Sequence, residues 1–144
     1  MNLEKRHYSL LLPCKRQGET IAVYLQKRSA DAKGLPGYFG FWGGKFEDGE
    51  TEETALAREV KEVRGGHLDI TSVQLFTRYE FLRSVKYVYL LEVSDDWESR
   101  IVIGEGDYGK WFVLEEVFAL DNLILEDKVI LNDLERKLFD RPLR

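Results

Sequence analysis

Cysteine is almost absent from this chain of 144 residues, in which Cys14 is the single example. One cysteine excludes an intrachain disulfide and any zinc site built from several thiolates. Cys14 follows a proline in an apolar stretch, so we expect a buried and unreactive thiol. The two histidines, His7 and His67, are too isolated in the sequence to suggest a catalytic pair.

Long apolar runs and an excess of positive charge are also missing. No segment approaches the roughly 20 apolar residues that cross a bilayer. The basic start of the chain has neither a long apolar core nor a small-residue cleavage site, which favours a cytoplasmic protein. The net charge is −5, so no basic stripe is available for a nucleic acid polymer or an anionic membrane. We predict that neither is a partner.

The composition that remains is that of an ordinary globular protein, with 44% hydrophobic and 33% charged residues. The length suits one domain, residues 1–144, and neither repeats nor linkers divide it. Hydrophobic alternation, turn residues and helix capping signals predict the elements. These are strands at 7–14, 20–27, about 70–80, 86–93 and 111–116, and helices at about 52–64 and 125–139. Their order predicts an α/β (α+β) protein with a central mixed sheet and helices packed against it.

One block of the sequence carries a specific pattern, GKFEDGETEETALAREVKEVRG, which begins at Gly44. It resembles the signature of the Nudix family, Gx5Ex7REUxEExGU, in which U is a bulky aliphatic residue. Two positions depart from that signature: Val63 replaces the second glutamate of the EE pair, and Gly66 replaces the final aliphatic residue. The matching positions are Gly44, Glu50, Arg58, Glu59, Val60, Glu62 and Gly65.

The spacing of the block indicates metal chemistry without reference to any family. On a helix, Leu56, Val60 and Val63 form a buried stripe, with Glu59 at its edge and Glu62 one step further round. Two carboxylates three residues apart, beside a glycine-rich loop, can hold hard cations such as Mg²⁺, with Mn²⁺ as an alternative. Such a cation bridges phosphate oxygens and helps deprotonate an attacking water.

The resemblance implies a Nudix α/β/α sandwich that hydrolyses a nucleoside diphosphate linked to a group X. The loop sequence GGKxExGET is similar to that of MutT-like members, which favours nucleoside triphosphates as small-molecule substrates. Glu59 and Glu62 would be the catalytic and metal-binding carboxylates, and the Gly44 carbonyl could add a ligand. Glu50 and Arg58 would form a salt bridge between loop and helix. A homodimer is common in the family, although no interface is visible in the sequence.

Outside the block, the resemblance implies further site residues. Arg28 and Lys45 would hold phosphates, and Glu105 would join the metal site in place of the missing glutamate. Phe41 would lie near the base, where stacking tolerates different bases. Glu126 stands where MutT has an asparagine that reads oxidised guanine, and an ionised carboxylate only accepts hydrogen bonds. Purine binding is therefore compatible with the sequence, but specificity for 8-oxo-guanine is not supported.

Val63 leaves a second function open. Valine cannot coordinate a metal, so the chain could be a catalytically impaired Nudix-fold module that binds or senses a nucleotide. Nucleotide sugars and dinucleoside polyphosphates are a third class of ligand, because they use the same phosphate site. Because Glu59 and Glu62 remain, the sequence favours a hydrolase with reduced or altered activity, and a module without turnover is the alternative.

Overall fold

The fold was obtained as a computed structural model, which describes residues 5–64, 73–93 and 108–139. Seven strands and three helices follow one another along these segments. The strands are β1 (Arg6–Gln17), β2 (Thr20–Lys27), β3 (Phe39–Gly40), β4 (Trp42–Lys45), β5 (Gln74–Glu80), β6 (Ser84–Glu92) and β7 (Tyr108–Val113). The helices are α1 (Glu52–Arg64), α2 (Leu114–Phe118) and α3 (Leu125–Phe139).

Strand β1 is the centre of a single mixed sheet. On one edge it pairs in parallel with β6 along residues 6–14. On the other edge it pairs antiparallel with β4 through residues 8–11 and with β2 through residues 14–17. Strands β3 and β7 extend the sheet beyond β2, and β5 extends it beyond β6. The predicted mixed sheet is confirmed.

The two faces of the sheet bury different sets of side chains, because successive residues of a strand point to opposite faces. Leu10 and Leu12 of β1 pack with α2 and α3, whereas Leu11 packs beneath α1 with Trp42 and Leu56. Helices therefore cover both faces, and the predicted α/β/α layering is confirmed.

Strand β2 and helices α1 and α3 have the predicted bounds, whereas β1 runs past its predicted end to Gln17 and β7 begins earlier, at Tyr108. The prediction of a strand over 111–116 is wrong at its end, because the strand stops at Val113. Leu114 and Val117 are both buried one helical turn apart, which favours the short helix α2. The structure also contains the short strands β3 and β4, which the sequence did not predict.

Cys14 is buried, as the sequence predicts. Burial raises the pKa of its thiol to about 12, and the nearby Glu92 carboxylate adds to the rise. The thiolate that would react is therefore scarce at neutral pH. Among the described helices, none has the length and apolar character needed to cross a membrane.

Candidate active site

The loop before α1 is fixed to the helix by a capping arrangement. The Thr54 N–H donates to the Thr51 hydroxyl oxygen at 3.3 Å, and the Thr51 N–H donates to the Thr54 hydroxyl oxygen at 2.9 Å. Thr51 is thus the N-cap that the sequence predicts. Glu52 and Glu53 in the first turn suit the positive end of the helix dipole.

Arg58 joins the same loop to the middle of α1. Its Nε and Nη2 donate to the two carboxylate oxygens of Glu50 at 2.8 and 3.0 Å. Nη2 also donates to the Lys45 carbonyl at 3.1 Å. The predicted salt bridge between Glu50 and Arg58 is confirmed, and its two-pronged form fixes the loop in orientation as well as position.

This ion pair gives stability a pH dependence that can be tested. The hydrogen bonds from Arg58 lower the pKa of Glu50 below its ordinary value of 4.5. A depressed carboxyl pKa stabilises the fold above the pKa of the unfolded chain, and the contribution is lost as pH falls through the folded pKa. We expect Glu50→Gln to lower the free energy of unfolding at pH 7 and to converge with the wild type below about pH 4. Urea unfolding across this range measures it.

Glu53→Gln, on the exposed face of the same helix, is the matched control for the charge change. A difference between wild type and Glu50→Gln that stays constant from pH 7 to pH 3 would contradict this role of the ion pair.

Glu59 lies under α1, against the glycine-rich strand. It is only 5% exposed, and its Oε1 accepts a hydrogen bond from Arg58 Nη1 at 2.8 Å. A Cβ placed on Gly44 would stand 3.3 Å from Glu59 Oε1, so glycine leaves room for the carboxylate and little more. A buried carboxylate beside a backbone carbonyl offers hard oxygen donors of the kind that Mg²⁺ prefers.

The other two predicted metal ligands, Glu62 and Glu105, have side chains outside the part of the chain that the structure describes. The side chain of Glu62, like that of Val63, is not among those described, and Glu105 lies outside the described residues. Within the described part of the chain, no group of three or more acidic, histidine or cysteine side chains converges on one point. Glu59 and Gly44 are thus the two predicted ligands whose positions are known, and they are neighbours.

A cavity of about 790 Å³ opens between the sheet and the N-terminal end of α3. Gly43 and Gly44 form part of its wall, and Glu59, which approaches Gly44 from the α1 side, is not itself a lining residue. Four residues predicted from the sequence line it: Arg28, Phe41, Gly44 and Glu126. The fold therefore brings Arg28, one of the two predicted phosphate-binding residues, to the same cavity as the predicted base-binding positions.

The lining residues differ in how far their side chains can reach a ligand. Arg28 Nε donates to the Gly34 carbonyl at 2.6 Å, which holds the guanidinium beside the opening. The Phe41 ring packs in the core and is 5% exposed, so it offers a ligand little of its surface. Lys45 is exposed on the β4 edge and is not a lining residue, although its carbonyl anchors Arg58.

The floor of the cavity holds a buried ion-pair network that the sequence analysis missed. Lys86 Nζ lies 2.9 Å from Asp127 Oδ1 and 3.1 Å from Glu126 Oε1. Asp127 Oδ2 also accepts from the Phe41 N–H at 3.1 Å, and the Ser84 hydroxyl donates to Glu126 Oε1 at 3.0 Å. Asp127 is 2% exposed and Lys86 is 8% exposed, so both charges are largely removed from water.

The two partners respond differently to this burial. Burial raises the pKa of the Asp127 carboxyl, and Lys86 offsets only part of the rise. Burial alone would lower the pKa of Lys86, but attraction by Asp127 and hydrogen bonds to both carboxylates outweigh it, so the pKa is raised. Lys86 therefore stays protonated at neutral pH and presents a cation at the floor of the cavity.

A sequence signal for this network did exist. Asp127 occupies a position of the buried α3 stripe that continues at Ile130, Leu131 and Leu134. Lys86 likewise stands between buried residues of an apolar strand. A charged residue at a core position needs a partner, and each of these two is the partner that the other requires.

Comparisons with known proteins agree with this geometry. The NUDIX domain family model matches residues 5–134. Over 106 residues the chain is 30% identical to the 8-oxo-dGTP diphosphatase of Escherichia coli K12, covering 73% of this chain and 80% of that one. Over 66 residues it is 38% identical to the nucleoside triphosphatase NudI of Enterobacter sp. strain 638, and this match spans 46% of the chain and only 47% of NudI.

Solved structures show the same fold at lower identity. MutT of Aliivibrio salmonicida and Vibrio cholerae aligns with a TM-score of 0.68 at 21% identity, over 93% of this chain and 99% of that one. DR0079 of Deinococcus radiodurans aligns with a TM-score of 0.72 at 19% identity, over 92% of this chain and 85% of that one. The NUDIX domain of Shewanella oneidensis NrtR, solved with ADP-ribose, aligns with a TM-score of 0.70 at 16% identity, over 96% of this chain and 90% of that one. The chain belongs to the Nudix family.

Proposed function

We propose that this protein is a Mg²⁺-dependent hydrolase of a nucleoside diphosphate linked to a group X, and that nucleoside triphosphates are its substrates. The observation that carries the proposal is the placement of the buried Glu59 carboxylate against Gly44, because Gly44 itself lines a cavity large enough for a nucleotide. The two curated relatives, named as a nucleoside triphosphatase and an 8-oxo-dGTP diphosphatase, favour this substrate class.

At the phosphate end, Glu59 and the Gly44 carbonyl would hold the cation, with Glu62 and Glu105 as further ligands. A bound divalent cation would screen phosphate charge and lower the pKa of an attacking water. Glu59 would accept or direct the proton of that water, and the Arg58 hydrogen bond keeps its carboxylate in place. Arg28 and Lys45 would stabilise negative charge that develops on the phosphates.

At the nucleoside end, Glu126 and Lys86 would supply an acceptor and a donor side by side. Glu126 accepts from the exocyclic amine or ring N–H of a base, and Lys86 donates to a ring nitrogen or carbonyl oxygen. Asp127 holds Lys86 in this position. The edge of Phe41 would bound the base without stacking broadly on it, because so little of the ring is exposed.

We propose that residues 1–144 form a single domain, which acts in the cytoplasm on a small-molecule nucleotide. Mn²⁺ would serve as an alternative cation to Mg²⁺. A homodimer stays a prediction, which light scattering of the purified protein would test. A nucleic acid polymer and a membrane are not part of the proposed activity.

The direct test is release of phosphate or pyrophosphate with Mg²⁺ across a panel of nucleotides. The panel contains canonical and oxidised nucleoside triphosphates, nucleotide sugars, dinucleoside polyphosphates and ADP-ribose, which the NrtR domain binds. We expect turnover of nucleoside triphosphates to monophosphate and pyrophosphate. Turnover confined to another class would keep the hydrolase and overturn the substrate assignment.

The alternative function, a nucleotide-binding module without turnover, is favoured by Val63, which stands where the signature has a glutamate. It predicts that no nucleotide of the panel is hydrolysed, while a bound nucleotide still raises the melting temperature of the protein. Under this alternative, Val63→Glu would raise hydrolysis from a baseline near zero. If the wild type already turns over substrate through Glu59, the hydrolase proposal stands, and Val63→Glu then measures only how far the missing carboxylate limits the rate.

A further inference from the structure

Ser9 is a polar residue at the centre of the sheet with no evident structural purpose. It is 0% exposed, and its hydroxyl has no hydrogen-bond partner among the described residues. A buried hydroxyl without a hydrogen-bond partner is destabilising, and alanine at the same position would avoid that cost. Such an atom is a candidate for a partner that arrives only with a ligand or a bound water.

The strand register places Ser9 under the candidate metal site. Ser9 pairs with Gly44 on β4 and with Tyr87 on β6. Side chains of directly paired residues point to the same face, with Cβ atoms about 5 Å apart. Since Glu59 Oε1 approaches Gly44 from the same face, the Ser9 hydroxyl lies on the sheet side of that carboxylate.

We infer that Ser9 is a positioning residue for Glu59. Its hydroxyl would donate to the carboxylate through one bridging water, because it has no direct partner and Ser9 pairs with Gly44, which Glu59 Oε1 approaches. Arg58 holds the carboxylate from the helix, and Ser9 would hold it from the sheet. The role rests on the proposed function, since it orients the carboxylate that binds the cation.

The test compares wild type, Ser9→Ala and Ser9→Thr by Mn²⁺ titration, using electron paramagnetic resonance of free Mn²⁺, and by the melting temperature of the metal-free protein. Groups that orient a metal ligand typically change metal affinity or activity by about 10–100-fold. We expect Ser9→Ala to weaken Mn²⁺ binding about tenfold, with a melting temperature equal to or above that of the wild type. Ser9→Thr keeps the hydroxyl and restores affinity.

Turnover supplies a second readout. With an active substrate, Ser9→Ala should lower kcat and leave KM for the nucleotide near the wild-type value, because the hydroxyl acts on Glu59 and not on the nucleotide. An unchanged Mn²⁺ affinity in a folded Ser9→Ala protein overturns the inference, even if hydrolysis is established. A wild type that binds Mn²⁺ through Glu59 but hydrolyses nothing overturns the proposed function and still tests Ser9. A wild type that binds no Mn²⁺ overturns both.

Discussion

Glu59→Gln is expected to lower nucleotide hydrolysis by about 10²–10⁴-fold, the range typical for loss of a general base. Glutamine matches glutamate in shape but carries no charge and cannot take a proton. Glu59 is the carboxylate that lies buried beneath α1 against Gly44, so the chemistry at that position is assigned to it. Initial rates with saturating Mg²⁺ and substrate measure the loss, and mass spectrometry of the products confirms the bond that is cleaved.

Glu53→Gln is the matched control, since it makes the same substitution at an exposed position of the same helix. Its rate should stay near that of the wild type. Melting temperatures of both variants exclude unfolding as the cause. If Glu59→Gln retained wild-type turnover, another group would carry the chemistry and the assignment of the site to Glu59 would be wrong.

Asp127→Ala is expected to lower the free energy of unfolding by about 3–5 kcal/mol, the cost of removing one partner from a buried ion pair. The substitution leaves the Phe41 N–H without its acceptor and leaves Lys86 with Glu126 as its remaining described carboxylate. It also removes one of the two carboxylates that connect the start of α3 to Lys86, and leaves Glu126 as the other. Urea unfolding at pH 7, monitored by tryptophan fluorescence, measures the change.

A double-mutant cycle separates the ion pair from simple loss of packing. Lys86→Met removes the buried cation, so the double variant Lys86→Met with Asp127→Ala should be more stable than the sum of the two single losses predicts. Asp31→Ala is the control at an exposed position. Strict additivity in the cycle, or an Asp127→Ala protein as stable as the control, would show that the pair does not hold the cavity together.

Local features of the fold were open to prediction from the sequence because their causes are local. Helix α1 begins after a threonine cap and carries acidic residues in its first turn, and both signals depend on residues a few positions apart. The bidentate contact between Arg58 and Glu50 also spans only eight residues. Prediction from the sequence failed where packing overrides a short pattern. The apolar residues WFV predicted a strand that continues through LEE, but the strand ends at Val113, because Leu114 and Val117 are buried as one turn of helix α2.

By itself, the sequence determined the family, the helix that carries Glu59, and the glycine beside which that carboxylate lies. Only the tertiary structure decided which distant residues complete the site. Lys86 and Asp127 are 41 residues apart and meet because α3 closes over β6. Ser9 comes under Glu59 because β1 and β4 pair in one register, and a shift by one residue would turn its hydroxyl to the opposite face. The periodicity of one segment shows that a side chain is buried, whereas the pairing of segments decides what it is buried against.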